Sequence, residues 1–504
     1  MRSIQRIGVG MREVIGIMAV FIVLCAGLAG AQEASLPSSR IPEQHMQQYS
    51  DLAVQWMQEY LRVDTTNPPG NEMRAVGFFK KILDDEGIEN RVFEIAPGRG
   101  DLWARVPANA DGNSQSKADA ADPASRARPI ILLNHMDVVT SDAAHWKVPP
   151  FSGEIKAGYI WGRGAQDMKD EGLAQLVVMV MLKREKIRLN RDVIFLAVAD
   201  EEANGTGTDW FLKHEKDLLE NAEFLINEGG ENVLENGKVK YVGVDVGEKT
   251  SYWLHVVAHG RPGHGSRPNP DSAPNRLVRA LDKILAYQTP LRVLPVVDEF
   301  LRDMAPYESP DRAADYRDIK KAIEDKKFQE QVARDESLNF LLRDTISLTM
   351  LGGSGQTNVI PPEAWANLDV RILPGGDPKG VAESLREAVN DPNVTIEPLE
   401  SEFRIANYSG TDNALFAAIR EVSGKYFPGT PVVPHITSGY TENQRYRPVG
   451  IVAYGFNPYT ATEEEGATEH GNDERIRVEE VRRGPRILFD VVAGVAAQTS
   501  SAPH

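Results

Sequence analysis

Cysteine is nearly missing from this chain: of 504 residues only Cys25 carries a thiol, and it lies within the first thirty. A structural disulfide, a thiolate metal site and a cysteine nucleophile in the rest of the chain are thereby excluded. Clustered basic residues are missing too. The formal charge is -17 and no dense run of Lys and Arg occurs, which excludes a nucleic-acid partner, because polyanion binding needs a concentrated cationic surface. No internal repeat recurs at periods of about 20 to 50 residues. Between Ala108 and Pro129 there is no Val, Ile, Leu, Met or aromatic residue, so this stretch has nothing to bury and reads as a disordered surface loop. What is present is an ordinary globular composition, 41% hydrophobic and 26% charged, over a length that implies about two or three domains.

The first residues stand apart. Arg2, Arg6 and Arg12 precede the apolar run "VIGIMAVFIVLCAGLAG", which ends in the small residues Ala29-Gly30-Ala31 before the sequence turns polar. This is the layout of a secretory signal over residues 1–31, and it predicts export, to a periplasmic or secreted location, with a mature chain beginning near Gln32. An uncleaved membrane anchor is the alternative. A cleaved signal leaves no stable membrane span.

The informative pattern recurs at several strand ends. "RDVIFLAVADEEANGTG", residues 191–207, runs from an apolar strand into Asp200, Glu201 and Glu202; "PIILLNHMDVV" runs from Ile130–Leu133 into His135 and Asp137; "AEFLINEGG" runs into Glu228. Continuous apolar runs of this kind read as strands covered on both faces, as in a parallel α/β sheet, and ligands of such sheets bind outside the carboxyl ends of the strands. A fourth segment, "GYIWGRGAQDMKDEG", places Asp167 past an aromatic strand and before a helix expected near Gly172. Imidazole and carboxylate together suit zinc, and more than four such ligands suit two metals. In His135-x-Asp137 the strand's alternation allows the carboxylate to receive the second imidazole N–H and fix the ring.

With "NHMDVV", "WKVPPFSGEIKAGYIWGRGAQDMKDEG", "ADEEANGTG", "INEGG", "GRPGHGSRPNPDSAPNRL", "TNVIPPEAWANLDVRI" and "HGNDERI" in this order, the chain resembles the di-zinc metallopeptidase family that includes aminoacylases, glutamate carboxypeptidase, acetylornithine deacetylase and the carnosinases. The resemblance spans roughly residues 45–495. It implies two zinc ions, or another divalent metal such as cobalt or manganese, bridged by Asp167. His135 and Glu228 would hold one and Glu202 and His470 the other, leaving Glu201 as general base beside Asp137. It also implies an oxyanion role for His264, substrate contacts from Asn358, Arg371 and Gly439, and a homodimer through the lid.

From Ser251 the pattern reads strand, helix, strand, strand, helix, strand, the ferredoxin-like order. The expected fold is therefore α/β: a catalytic domain with a mostly parallel sheet flanked by helices, carrying an inserted ferredoxin-like α+β lid. Its first part covers 41–249, the lid 250–400 and the second part 401–497. Two departures stand out. "GYTENQR" occupies Gly439 to Arg445 where relatives often read Gly-Gly-Thr-Asp-Ser-Arg. A helical segment near 291–345 enlarges the lid, resembling the vacuolar carboxypeptidase and N-fatty-acyl-amino-acid hydrolase branch. The function implied is hydrolysis of the amide bond of a short peptide or N-acyl amino acid with a free carboxylate. A non-catalytic peptide-binding protein on the same fold and a metal-dependent esterase or lactonase are the alternatives; retention of Glu201 disfavours the first.

Overall fold

Strand Val193–Val198 is buried at every residue and is hydrogen-bonded on both sides, to the antiparallel strand Arg99–Val106 and to the parallel strand Ile130–His135. It is one of eight strands, in the order Glu89–Ala96, Arg99–Val106, Val193–Val198, Ile130–His135, Phe224–Asn227, Val452–Gly455, Val242–Glu248 and Val432–Thr437. Four of the neighbouring pairs are parallel, including all of those joining the strands that end on His135, Glu202 and Glu228. This computed structural model describes residues 40–108, 127–219, 221–400, 404–437 and 439–498. The expected signal segment 1–31 and nearly all of the apolar-free stretch lie outside the described residues. Among the described residues no helix is long and apolar enough to cross a membrane.

The alternation of the strands explains their apolar sequences. Ile130, Leu132, Val193, Phe195, Phe224 and Ile226 face one layer of helices, among them Glu43–Leu61, Lys169–Arg184 and Val478–Ala496. Ile131, Leu133, Ile194, Leu196 and Leu225 face the other side, against Phe211 of helix Thr206–His214. Burying each such side chain contributes about 1.5–3 kcal/mol, so both registers are fixed by packing rather than by turns. The helix expected near Gly172 starts earlier, at Lys169. Asp170 and Glu171 occupy its first turn and Lys183 and Arg184 its last, the charge order that suits the helix dipole.

The lid order is as expected. Thr250–His259, Thr345–Gly352, Glu363–Ile372 and Val394–Pro398 form one antiparallel sheet in which the first strand lies between the third and fourth. Helices Ala273–Ala286 and Pro378–Val389 cover it, the first through Leu277, Ala280, Leu281 and Ile284 at helical spacing. The helical insertion departs from expectation in its packing. Val297, Leu301, Met304, Leu341 and Leu342 join the main core and none joins the lid core. Helix Pro295–Met304 lies on Val432–Thr437, the last strand of the large sheet. An uncovered edge would expose unpaired backbone groups, and the insertion's apolar face has that edge to cover.

Candidate active site

Three neighbouring parallel strands deliver their carboxyl ends to one place. His135 is the last residue of its strand, Glu228 follows Asn227, and Glu201 and Glu202 follow the adjacent strand. Asp167 arrives by a different route from the one expected. The aromatic strand Tyr159–Trp161 belongs not to the large sheet but to a small antiparallel one with Glu154–Lys156 and Arg475–Arg477. The reason is Glu474, 1% exposed, which accepts hydrogen bonds from Gly164 N at 3.1 Å and Gln166 N at 2.8 Å and pairs with Arg163 at 2.5 Å. This carboxylate ties the Asp167 loop to the His470 loop, residues far apart in sequence.

The resulting geometry is two triads sharing one residue. His135 Nε2 lies 3.0 Å from Asp167 Oδ1 and 3.1 Å from Glu228 Oε2. His470 Nε2 lies 2.7 Å from Asp167 Oδ2 and 3.2 Å from Glu202 Oε2. Each Asp167 oxygen thus faces a different histidine. Glu201 stands outside both triads, with Oε2 4.0 Å from His135 Nε2.

The turn carrying Glu201 and Glu202 is built by buried acids. Asp137 accepts from Glu201 N at 3.1 Å, Glu202 N at 3.2 Å and Asn67 Nδ2 at 2.8 Å. Here the sequence expectation is corrected: His135 Nδ1 lies 3.0 Å from the main-chain oxygen of Asp137 and 3.7 Å from its carboxylate. The carboxylate is already engaged by the two amides and Asn67, so the carbonyl orients the ring and the carboxylate positions the base. Asp200, at φ +72°, accepts from Asn67 and Thr206 and pairs with Arg99. Asn67 is the residue that sequence reasoning missed. A lone Asn ahead of Pro68-Pro69 in "TTNPPG" signals a shaped polar loop, without revealing that it spans Asp137 and Asp200.

The electrostatics of this cluster call for cations. Burial and the neighbouring Glu228 raise the Glu201 carboxyl well above its ordinary range, and burial raises Glu228 to about 7 against the pull of His135. Burial also pushes Asp167 up, but hydrogen bonds and charge from His135 and His470 hold it below the usual carboxylate range. Glu202 Oε1 and Glu228 Oε1 are buried without a hydrogen-bond partner among the described residues. The donor atoms of each triad lie within 4.8 Å of one another, and ligands about 2 Å from a tetrahedral ion are roughly 3.3 Å apart. Two divalent metals fit these residues.

A pH dependence follows for protein stripped of metal. Glu228, raised from 4.5 to about 7 by burial, and His470, raised from 6.5 to about 10 by the hydrogen bonds it donates to Asp167 and Glu202, hold protons more tightly in the folded state. The unfolded chain releases those protons first, so stability is lost as pH rises, between 4.5 and about 7 for Glu228 and between 6.5 and about 10 for His470. The Tm of chelated protein is expected to fall between about pH 5 and about pH 7, below the range in which the buried Lys169 and Lys249, lowered to about 7, contribute in the opposite direction, and to recover when metal is returned. A Tm that climbs over that interval contradicts it.

A cavity of about 690 Å³ opens over the triads and is also lined by Ser251, Trp253 and Arg371 from the lid and by Gly439, Tyr440 and Arg445. Arg371 and Gly439 are therefore brought to the site. His264 and Asn358 are not: His264 is exposed, in a two-residue strand paired with Val359–Ile360, and Gly265 N donates to Asn358 O at 2.8 Å.

A sequence profile described as peptidase family M20/M25/M40 matches residues 131–494. Human aminoacylase-1 is 27% identical over 452 residues, covering 88% of this chain and 95% of that one. Human N-fatty-acyl-amino acid synthase/hydrolase is 26% identical over 388 residues, covering 75% and 76%. Among solved structures, an M20 family metallo-carboxypeptidase from Sulfolobus solfataricus superposes with a TM-score of 0.60 at 19% identity, covering 87% of this chain and 98% of that one.

Proposed function

Because the chain belongs to peptidase family M20/M25/M40 and is accordingly a metal-dependent hydrolase, we propose that it cleaves the amide bond of short peptides or N-acyl amino acids bearing a free carboxylate. The observation that carries this reading is Asp167, whose two oxygens face His135 and His470 while Glu201 stays outside both triads. His135 and Glu228 would hold one metal, Glu202 and His470 the other, and Asp167 both, with zinc as the proposed ion. Divalent cations, when bound, supply Lewis acidity that lowers the pKa of an attacking water and polarises the scissile carbonyl. Glu201, whose proton affinity is raised by burial and Glu228, takes the water proton and passes it to the leaving amine. Asp137 keeps Glu201 in place through its hold on the main chain.

The reading is tested on metal-loaded protein with a panel of N-acyl amino acids, dipeptides and esters. Amide substrates with a free carboxylate are expected to lead; exclusive turnover of esters, or binding without turnover, replaces the proposal by one of the two alternatives.

His264 lies outside the cavity of its own chain, a position that supports action from a second copy over action within one chain. We assign His264 that role across a lid-mediated homodimer. Mixing inactive Glu201→Gln with inactive His264→Ala is then expected to restore part of the activity, since some mixed dimers combine an intact Glu201 with an intact His264 from the other chain. Failure to restore any, with subunit exchange verified, rejects the arrangement. Export rests on residues 1–31 and remains part of the proposal.

A further inference from the structure

Glu228 reaches the acidic cluster on a turn that its own sequence leaves loose. It is followed by Gly229 at φ +102° and Gly230 at φ +92°, a conformation that glycine adopts without strain but does not enforce. Asp245, 5% exposed, supplies the restraint from strand Val242–Glu248, two positions along the large sheet. Its Oδ2 accepts from Gly230 N at 2.8 Å, and it packs so closely that a Cβ on Gly229 would stand 2.7 Å from the same oxygen. Its Oδ1 lies 2.7 Å from His435 Nδ1. The sheet sets up this alignment. Asp245 stands opposite His435 in one ladder and opposite Gly455 in the next, and Gly455 stands opposite Asn227, the residue before Glu228. One row of four strand positions thus runs from His435 to the turn.

His435 is held in turn by the helical insertion. Its ring centroid is 6.0 Å from that of Phe300, on helix Pro295–Met304, and Phe300 meets Tyr241 edge-on at 6.1 Å. Tyr241 donates to Glu231 Oε2 at 2.6 Å, on the residue that follows Gly230. The charges suit the arrangement. Burial lowers the proton affinity of His435, but the hydrogen bond and charge of Asp245, with the charge of Glu231, outweigh it and raise the imidazole above its ordinary value. A carboxylate accepts and does not donate, so Nδ1 carries the shared proton. Asp245 and His435 are not part of the cavity lining; they stand behind the turn.

We propose that Asp245 and His435 are positioning residues for Glu228, and that Phe300 extends this support to the helical insertion. The proposal rests on the assignment of Glu228 as a metal ligand. Asp245 fixes the main chain two residues past Glu228. His435 keeps the other Asp245 oxygen engaged, so the carboxylate does not rotate away from Gly230, and Phe300 limits the freedom of the imidazole ring. Loss of this support leaves the cavity lining in place but frees the Glu228 carboxylate to move from His135, 3.1 Å away. Partners that orient a ligand without touching the metal commonly change affinity or activity by about 10–100-fold.

Chelator competition gives the zinc affinities of wild type, Asp245→Ala, His435→Phe, His435→Asn and Phe300→Ala, and kinetics with N-acetyl-leucine give kcat and KM. Asp245→Ala is expected to weaken one of the two zinc ions by about tenfold or more, and to lower kcat with KM little changed. His435→Phe keeps a ring against Phe300 and loses the donor, and is expected to follow; it carries the test if Asp245→Ala does not fold. His435→Asn, whose amide nitrogen takes the place of Nδ1, recovers part of the loss although it packs less well. Phe300→Ala shows a smaller loss of the same kind. Unchanged affinity for both ions in His435→Phe overturns the proposal, and so does a larger loss in His435→Asn than in His435→Phe. Unchanged affinity in Phe300→Ala overturns the insertion's part in it. The affinities need no substrate, so they stand even if N-acetyl-leucine is not hydrolysed. If Glu228→Ala binds both ions as wild type does, the metal assignment fails on its own. Hydrogen exchange at Gly230 in metal-free protein then decides: exchange about tenfold or more faster in His435→Phe than in wild type sustains the clamp, and equal exchange overturns it.

Discussion

Glu201→Gln is expected to keep its full metal content and to lose turnover by a factor on the order of 10²–10⁴, the usual contribution of a positioned general base. The two outcomes separate because Glu201 lies outside both triads, 4.0 Å from His135 Nε2, while the triads themselves are complete without it. Glutamine preserves the volume and one acceptor oxygen, so the hydrogen bonds from Glu201 N and Glu202 N to Asp137 have no reason to change. What is lost is a group that can take a proton and return it. Burial and the charge of Glu228 raise the proton affinity of Glu201, which brings it nearer to that of the water and amine it serves. The measurement pairs elemental analysis with single-turnover kinetics. Wild-type rates in this variant, or loss of metal from it, remove Glu201 from the assigned role.

How far this site can be read from the chain depends on what fixes each residue. His135, Glu202 and Glu228 follow strands buried on both faces, where a one-residue slip would turn every side chain to the wrong layer, so the apolar runs locate them closely. The lid order is legible for the same reason: its strands alternate and Leu277, Ala280, Leu281 and Ile284 keep helical spacing. Asp137 reads only half correctly, because sequence shows a carboxylate two residues from a histidine but not the competing amides of Glu201 and Glu202 that claim it. The small sheet of Tyr159–Trp161 is hidden for a related reason. Its partner strand Arg475–Arg477 is three hundred residues away in sequence, and the buried Glu474 that joins them is one acid among many. The insertion shows its apolar spacing plainly, yet nothing local says that the edge strand Val432–Thr437 is what it covers. Arg445 stands at the end of the segment that departs from the family's usual motif. What holds it in place, the Asp209 carboxylate it shares with Arg404, is far away in sequence and has no local signature.

The heavier structural demand falls on Asp167, and Asp167→Ala is expected to lower metal content from two ions to one or fewer per chain, with activity falling at least as far as in Glu201→Gln. Alanine removes one ligand from each triad at once, since Oδ1 faces His135 at 3.0 Å and Oδ2 faces His470 at 2.7 Å. It also removes the negative charge between the two proposed cations, so their mutual repulsion, strong at short range in a poorly solvated site, goes unopposed at that point. The surviving pairs are unequal. His135 is buried with Glu228, whereas the His470 side chain is 52% exposed, so the ion held by His470 and Glu202 is expected to leave first. Asp167→Asn is the informative companion: it keeps one oxygen and the volume but not the charge, and should retain more metal than alanine while remaining impaired. Circular dichroism and Tm of both variants, measured with and without added zinc, separate loss of metal from loss of fold. Two ions per chain in purified Asp167→Ala would show that Asp167 does not bridge, and the paired triads would then have to be read as two independent sites.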